Sequence, residues 1–194
     1  GAALASAERY SIVGNSWEDL PDMAAARWGH CAVAALRNVI YILGDDTCAL
    51  EVFDTALQQW RTEARLCDMP ELRRSGPAAV VLKNRYLVVI GGLDEDYVAT
   101  AGCLIYDCSI NQWNSTPASM NMITWRNFHT AAVLDGKIVV AGGRSGLGQE
   151  LSSMECIDAR GILECAPLEY PLPDIYFNQI LQLGKALLGT KYIL

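Results

Sequence analysis

The chain has 194 residues, 52% of them hydrophobic and 19% charged, a balance that excludes a disordered or solvating chain and requires a buried core. Fifteen Lys and Arg against 22 Asp and Glu leave a net charge of −7, the wrong sign for a surface that neutralises nucleic-acid phosphates. The longest apolar stretch, Ala78 to Gly92, is broken by Lys83, Asn84 and Arg85, so no membrane span is expected. The N-terminal GAALASAERY has no basic segment followed by an apolar core and does not read as a signal peptide; the absence of an initial Met suits a piece of a longer protein.

Along the chain, ERYSIVGNSW, from Glu8 to Trp17, comes first, and it matches the second half of a unit that then recurs three times. The first full unit is RWGHCAVAALRNVIYILGDD from Arg27, with EVFD ending at Asp54 and then Trp60. The second is RSGPAAVVLKNRYLVVIGG from Arg74, with CLIYD ending at Asp107 and then Trp113. The third is RNFHTAAVLDGKIVVAGGR from Arg126, with MECID ending at Asp158, and Glu164 stands where a Trp is due. The C-terminal QILQLGKALLGT matches the first half of a unit, so one unit is split between the two ends. The predicted organisation is one domain over 1–194, with repeats at about 18–66, 67–117 and 118–167 and a fourth formed by 168–194 with 1–17.

Within each unit, two strand-length apolar runs flank Arg37-Asn38, Lys83 to Arg85, or Asp135-Gly136, and read as hairpins. The second runs, Val39 to Leu43, Leu87 to Ile90 and Ile138 to Ala141, are apolar at every position, as in strands covered on both faces. Glycines end them at Gly44, Gly91-Gly92 and Gly142-Gly143, where the chain must turn out of a crowded sheet. The indoles of Trp17, Trp60 and Trp113 supply large apolar areas for packing between sheets. Repeats of this length with four short strands predict an all-β fold, a β-propeller of about four blades.

These residues resemble kelch repeats: the double glycines, the Tyr106-Asp107 ending of a third strand, the Trp of the fourth, and the Met-x-x-x-Arg approach at Met23-Arg27 and Met122-Arg126. The resemblance covers about three blades, residues 17 to 164. It departs at Asp45, which replaces the second glycine of the first unit, and at Glu164. It implies four-stranded blades and a ring closed by joining first and last strands. It also implies that arginines just before the first strand, here Arg27, Arg74 and Arg126, face one channel mouth, where in related domains they grip acidic peptide motifs through bidentate guanidinium contacts. The other role open to them is to pair with an acidic side chain or a backbone carbonyl and hold the repeat together, and Arg73 could stand in for Arg74.

His30 and His129 sit three residues after Arg27 and Arg126 and are the remaining candidates at the mouth, read more readily as satisfied structural histidines. The loops after the glycines differ most between units and would carry specificity. Tyr97 crowns an acidic tip, and Arg144 opens a Gly-rich one that lacks the nucleotide-binding pattern. Nothing assembles a nucleophile with a base, a metal set or a cofactor cradle, so no cofactor or metal is expected. The expected function is a binding module for a protein partner, with an acidic motif as one ligand, as the recognition part of a larger protein. The alternatives are a small-molecule-converting propeller of isomerase or specifier type and a purely structural assembly domain. Seven cysteines without a CxxC pair suit buried thiols in a reducing, cytoplasmic compartment. An incomplete ring would expose an apolar face and self-associate.

Overall fold

The computed structural model describes residues 2–28, 31–61, 67–73 and 75–166. A hairpin of β1 (Ala7–Ser11) and β2 (Ser16–Leu20) comes first. The first meander follows as β3 (Cys31–Leu36), β4 (Val39–Gly44), β5 (Glu51–Asp54) and β6 (Gln59–Trp60), hydrogen-bonded in that order. The second is β7 (Ala78–Leu82), β8 (Tyr86–Ile90), β9 (Cys103–Asp107) and β10 (Gln112–Ser115), again paired sequentially and antiparallel. These are the expected four-stranded blades.

The third unit differs. A short ribbon of β11 (Arg126–Asn127) and β14 (Arg144–Ser145) lies beside a three-stranded sheet of β12 (Thr130–Leu134), β13 (Lys137–Ala141) and β15 (Met154–Asp158). Where a fourth strand is due, the chain forms a six-residue helix α1 (Ala159–Glu164). Asp158 caps it by accepting a hydrogen bond from the Arg160 N–H, and Ile162 anchors it in the core. With no Trp to pin a strand at Glu164, the Asp that ends the third strand starts a helix instead.

The continuous apolar runs are explained by the second blade. Along β8, Leu87 and Val89 pack toward blade one with Leu43, Val52 and Tyr106. Val88 and Ile90 pack the other way, with Ile138, Val140 and Ile162. Alternate side chains therefore enter two different cores, and each fully buried aliphatic contributes about 1.5–3 kcal/mol. In blade three the second run, on β13, keeps Ile138 and Val140 buried and Val139 and Ala141 half-buried, whereas its neighbour β12 is exposed along most of its length, Val133 and Leu134 included.

The aromatic repeat has one register throughout. Tyr10 lies opposite Trp17, Phe53 opposite Trp60 and Tyr106 opposite Trp113, with ring centroids 5.3, 5.1 and 4.8 Å apart. The Trp60 indole N–H donates to the Pro21 carbonyl and that of Trp113 to the Cys67 carbonyl, both at 2.7 Å, tying each outer strand to the segment that enters the same blade. β1 and β2 thus reproduce the outer half of a blade. The expected partner half, 168–194, and the LEYPLPD connection lie outside the described residues.

Two glycines show why blades can approach so closely. A side chain at Gly91, where φ is +59°, would place its Cβ 2.6 Å from the Arg126 carbonyl oxygen of the next blade. At Gly44, φ +89°, it would meet the Arg73 carbonyl at 3.1 Å. Asp45 replaces glycine in the same left-handed region at φ 66° because Asp tolerates it better than most residues, and its carboxylate accepts the Trp28 N–H.

Candidate functional site

The propeller arginines come first. Arg27 donates through Nη1 to the Gly44 carbonyl at 2.6 Å and through Nη2 to Glu51 Oε1 at 2.8 Å. Arg126 repeats the arrangement: Nη1 donates to the Gly142 carbonyl at 2.8 Å, Nη2 to Glu155 Oε1 at 2.7 Å and to Ser153 Oγ at 2.8 Å. In both units the same glutamate also accepts the backbone N–H three residues before the arginine, from Ala24 at 2.8 Å and Ile123 at 2.5 Å. Each arginine is thus a pin joining the entry segment, the end of the second strand and the third strand of one blade. Arg126 is 0% exposed, so a ligand cannot reach its guanidinium in this arrangement. Burial pushes the Glu155 carboxyl up, but hydrogen bonds from Arg126, Ile123 and Thr124 outweigh it and hold the group below the usual carboxylate range.

In blade two, Leu104 occupies the position of Glu51 and Glu155 and is buried in the core. Among the described residues of that blade, Arg73 is buried; it pairs with Glu71 and hydrogen-bonds Thr100. Burial, its largest influence, lowers the Arg73 pKa. Arg74 and His30 lie outside the described residues. His129 is buried, wedged against Gly91 and Gly143. Burial first, and the neighbouring Arg126 guanidinium second, lower its pKa to about 4, with only the Ile90 backbone favouring the charged form. It is therefore a neutral, inaccessible imidazole at neutral pH.

What is accessible at this end of the sheets lies on the loops. A groove of about 550 Å³ runs between the 93–99 loop, the segment entering blade three and the 145–151 loop. Its apolar walls are Val98, Ile123, Trp125 and Leu147, with Trp125 56%, Ile123 92% and Leu147 89% exposed. The Trp125 ring lies against Gly146, where an added Cβ would sit 3.3 Å from it. Tyr97, exposed at φ 60°, stands beside Val98 on a turn that Asp94 builds by accepting the Asp96 and Val98 N–H groups. Arg144 is exposed and only loosely paired with Glu150, at 3.9 Å. Of the sequence candidates, Tyr97 and Arg144 are exposed and adjoin in sequence the lining residues Val98 and Ser145, whereas Arg27, Arg126 and His129 are buried. Sequence reasoning missed Ile123, Trp125, Glu51 and Glu155; the apolar MIT-W run before Arg126, and a Glu three residues before Asp54 and Asp158, were the available signals.

The thiols are less uniformly buried than expected. Cys103 is buried, and burial raises its pKa to about 12, but Cys67 and Cys156 are exposed and Cys48, Cys108 and Cys165 half-buried, all free. Among the described residues no helix is long and apolar enough to cross a membrane.

Sequential four-stranded meanders, glycine-ended second strands and outer-strand tryptophans define blades of a β-propeller of the kelch type. The KLHDC2/KLHL20/DRC7 Kelch-repeats domain matches residues 29–162, and the chain belongs to the kelch-repeat family. It is 32% identical to Kelch-like protein 24 of Homo sapiens over 163 residues, covering 80% of this chain and 24% of that protein. It is 35% identical to an F-box/kelch-repeat protein of Arabidopsis thaliana over 168 residues, covering 77% and 40%. Beta-scruin of Limulus polyphemus is 28% identical over 173 residues, covering 83% and 18%. The chain spans less than half the length of each of these relatives.

Proposed function

We propose that the chain is a protein-interaction module whose docking site is the loop-face groove, with Ile123, Trp125, Leu147 and Val98 receiving an apolar anchor of the partner and Tyr97 and Arg144 flanking it. The observation that carries this is the exposure of Ile123, Trp125 and Leu147 together around one groove on loops held by rigid sheets. Contiguous exposed apolar surface of this kind marks interaction sites, and an aromatic anchor near the centre is where binding energy concentrates. The kelch-repeat relatives support a binding role over a catalytic one. Arg27 and Arg126 are assigned the second of the two roles open to them, holding the repeat together, and the acidic-motif contact is assigned to Arg144.

The test compares wild type with an Ile123→Ser/Trp125→Ser/Leu147→Ser variant in quantitative affinity purification, with Arg160→Glu as a control placed on α1. Loss of the recovered partners from the triple variant alone, at unchanged melting temperature, supports the reading. Retention of every partner by the folded triple variant overturns it.

A further inference from the structure

A second cleft lies at the opposite end of the sheets. Because the blades are antiparallel meanders, the β3–β4, β5–β6, β7–β8 and β9–β10 turns share one end, and the loops of the proposed docking groove share the other. Between blades one and two, the turns enclose a cleft of about 470 Å³ with an apolar floor that includes Leu36, Val39 and Tyr41. Its walls carry three guanidiniums, Arg37, Arg61 and Arg85, and the amides of Asn38 and Asn84. That concentration is unexpected on a chain of net charge −7.

Two of the three guanidiniums have carboxylate partners. Arg61 is neutralised by Asp54 at 2.9 Å, and Arg85 grips Asp107 through both Nε and Nη2. The hydrogen bond from Arg61 is the main reason the Asp54 carboxyl sits below its usual range. At Asp107, burial pushes up, but hydrogen bonds from Arg85 and Ser109 prevail. Both carboxylates are therefore ionised, and each is held by a guanidinium. Arg37 is left over: it has no ion pair or hydrogen bond among the described residues, and neither do the side chains of Asn38 and Asn84. Arg37 also stands at φ 55°, a region that costs any residue with a Cβ and that Gly would occupy freely. Lys83 and Asp135 take the same conformation at the equivalent turns, so the turn accounts for the backbone there and leaves the Arg37 side chain without a partner among the described residues.

We propose that this cleft binds a small organic oxyanion, a carboxylate or phosphate head on an apolar body. Arg37 receives the head, Asn38 and Asn84 supply neutral donors beside it, and the Leu36, Val39 and Tyr41 floor accepts the body. Guanidinium and oxyanion match in geometry as well as charge, and a concave apolar site with a few convergent polar groups is the usual form of a small-ligand pocket. The site is independent of the loop-face groove.

The experiment is an amide NMR titration of the full chain with phenyl phosphate, with phenylacetate and with uncharged benzyl alcohol. Both anions are expected to shift the signals of Arg37, Asn38 and Asn84, and their relative affinities identify the preferred head group. Arg37→Gly is expected to weaken both at least about tenfold while leaving the melting temperature equal or higher, and Arg144→Glu, at the other end, to change neither. Three outcomes overturn the proposal: benzyl alcohol binding as tightly as the anions, Arg37→Gly binding them undiminished, or no shift up to about 10 mM anion.

Discussion

Acidification should destabilise this fold through His129 before the paired carboxylates of Asp107 and Glu155 titrate. The buried imidazole has a pKa of about 4, set first by burial and then by Arg126, whereas in the unfolded chain it returns to about 6.5. Between those values the unfolded state binds more protons than the folded one. Stability is therefore full above the unfolded pKa and falls as the pH drops toward the folded one. From about pH 8 to about pH 4.5 the loss is about 2.5 kcal/mol for this one residue. Urea unfolding of wild type and His129→Leu across that range isolates it, because the difference between the two curves removes every other titration. The lowered carboxyls of Asp107 and Glu155 act in the opposite sense of charge: their contribution is present above the unfolded carboxylate pKa and is lost only at lower pH. The gap between wild type and His129→Leu should narrow by about 2.5 kcal/mol toward the acid end. Curves that stay parallel to within about 0.5 kcal/mol would refute the assignment of a neutral buried imidazole.

Two further outcomes follow from the geometry. Arg126→Met leaves Glu155 without its cation in a site that excludes water and should cost about 3–5 kcal/mol in urea unfolding. R126M/E155Q should recover at least about 1 kcal/mol of that, and a double variant no better than the single one would show that the pair is not the source. Gly91→Ala combines φ +59° with a Cβ 2.6 Å from the Arg126 carbonyl, and should cost at least about 2 kcal/mol; a melting temperature equal to wild type would contradict the close approach of blades two and three.

The repeat was legible because its marks answer local necessities. Glycine is required where strands end against a neighbouring backbone, Asp where a turn needs an acceptor, and Trp where an outer strand must be clamped. The Asp54 carboxylate accepts the Ala56 and Leu57 N–H groups, and Asp107 accepts from Ser109, so the turn itself selects the residue. Glu51 and Glu155 were harder to see. They sit 24 and 29 residues from the arginines they hold, within strands otherwise read as apolar, and blade two has Leu104 instead. The helix at Ala159–Glu164 was foreshadowed only by the absent Trp, since its brevity leaves no periodic signal. Ile123 and Trp125 escaped because an apolar residue in a connecting segment reads the same whether it is covered or exposed; only the packing of the neighbouring loops decides.

The arginine pins have a meaning for how such a protein arises. In blades one and three the cation, its carboxylate and the glycine carbonyl all come from one contiguous stretch of chain. A unit can therefore be duplicated or deleted in the gene without stranding a buried charge in either the copy or the remainder. Blade two has Leu104 in place of the glutamate and so lacks that carboxylate, while it keeps the paired glycines Gly91 and Gly92.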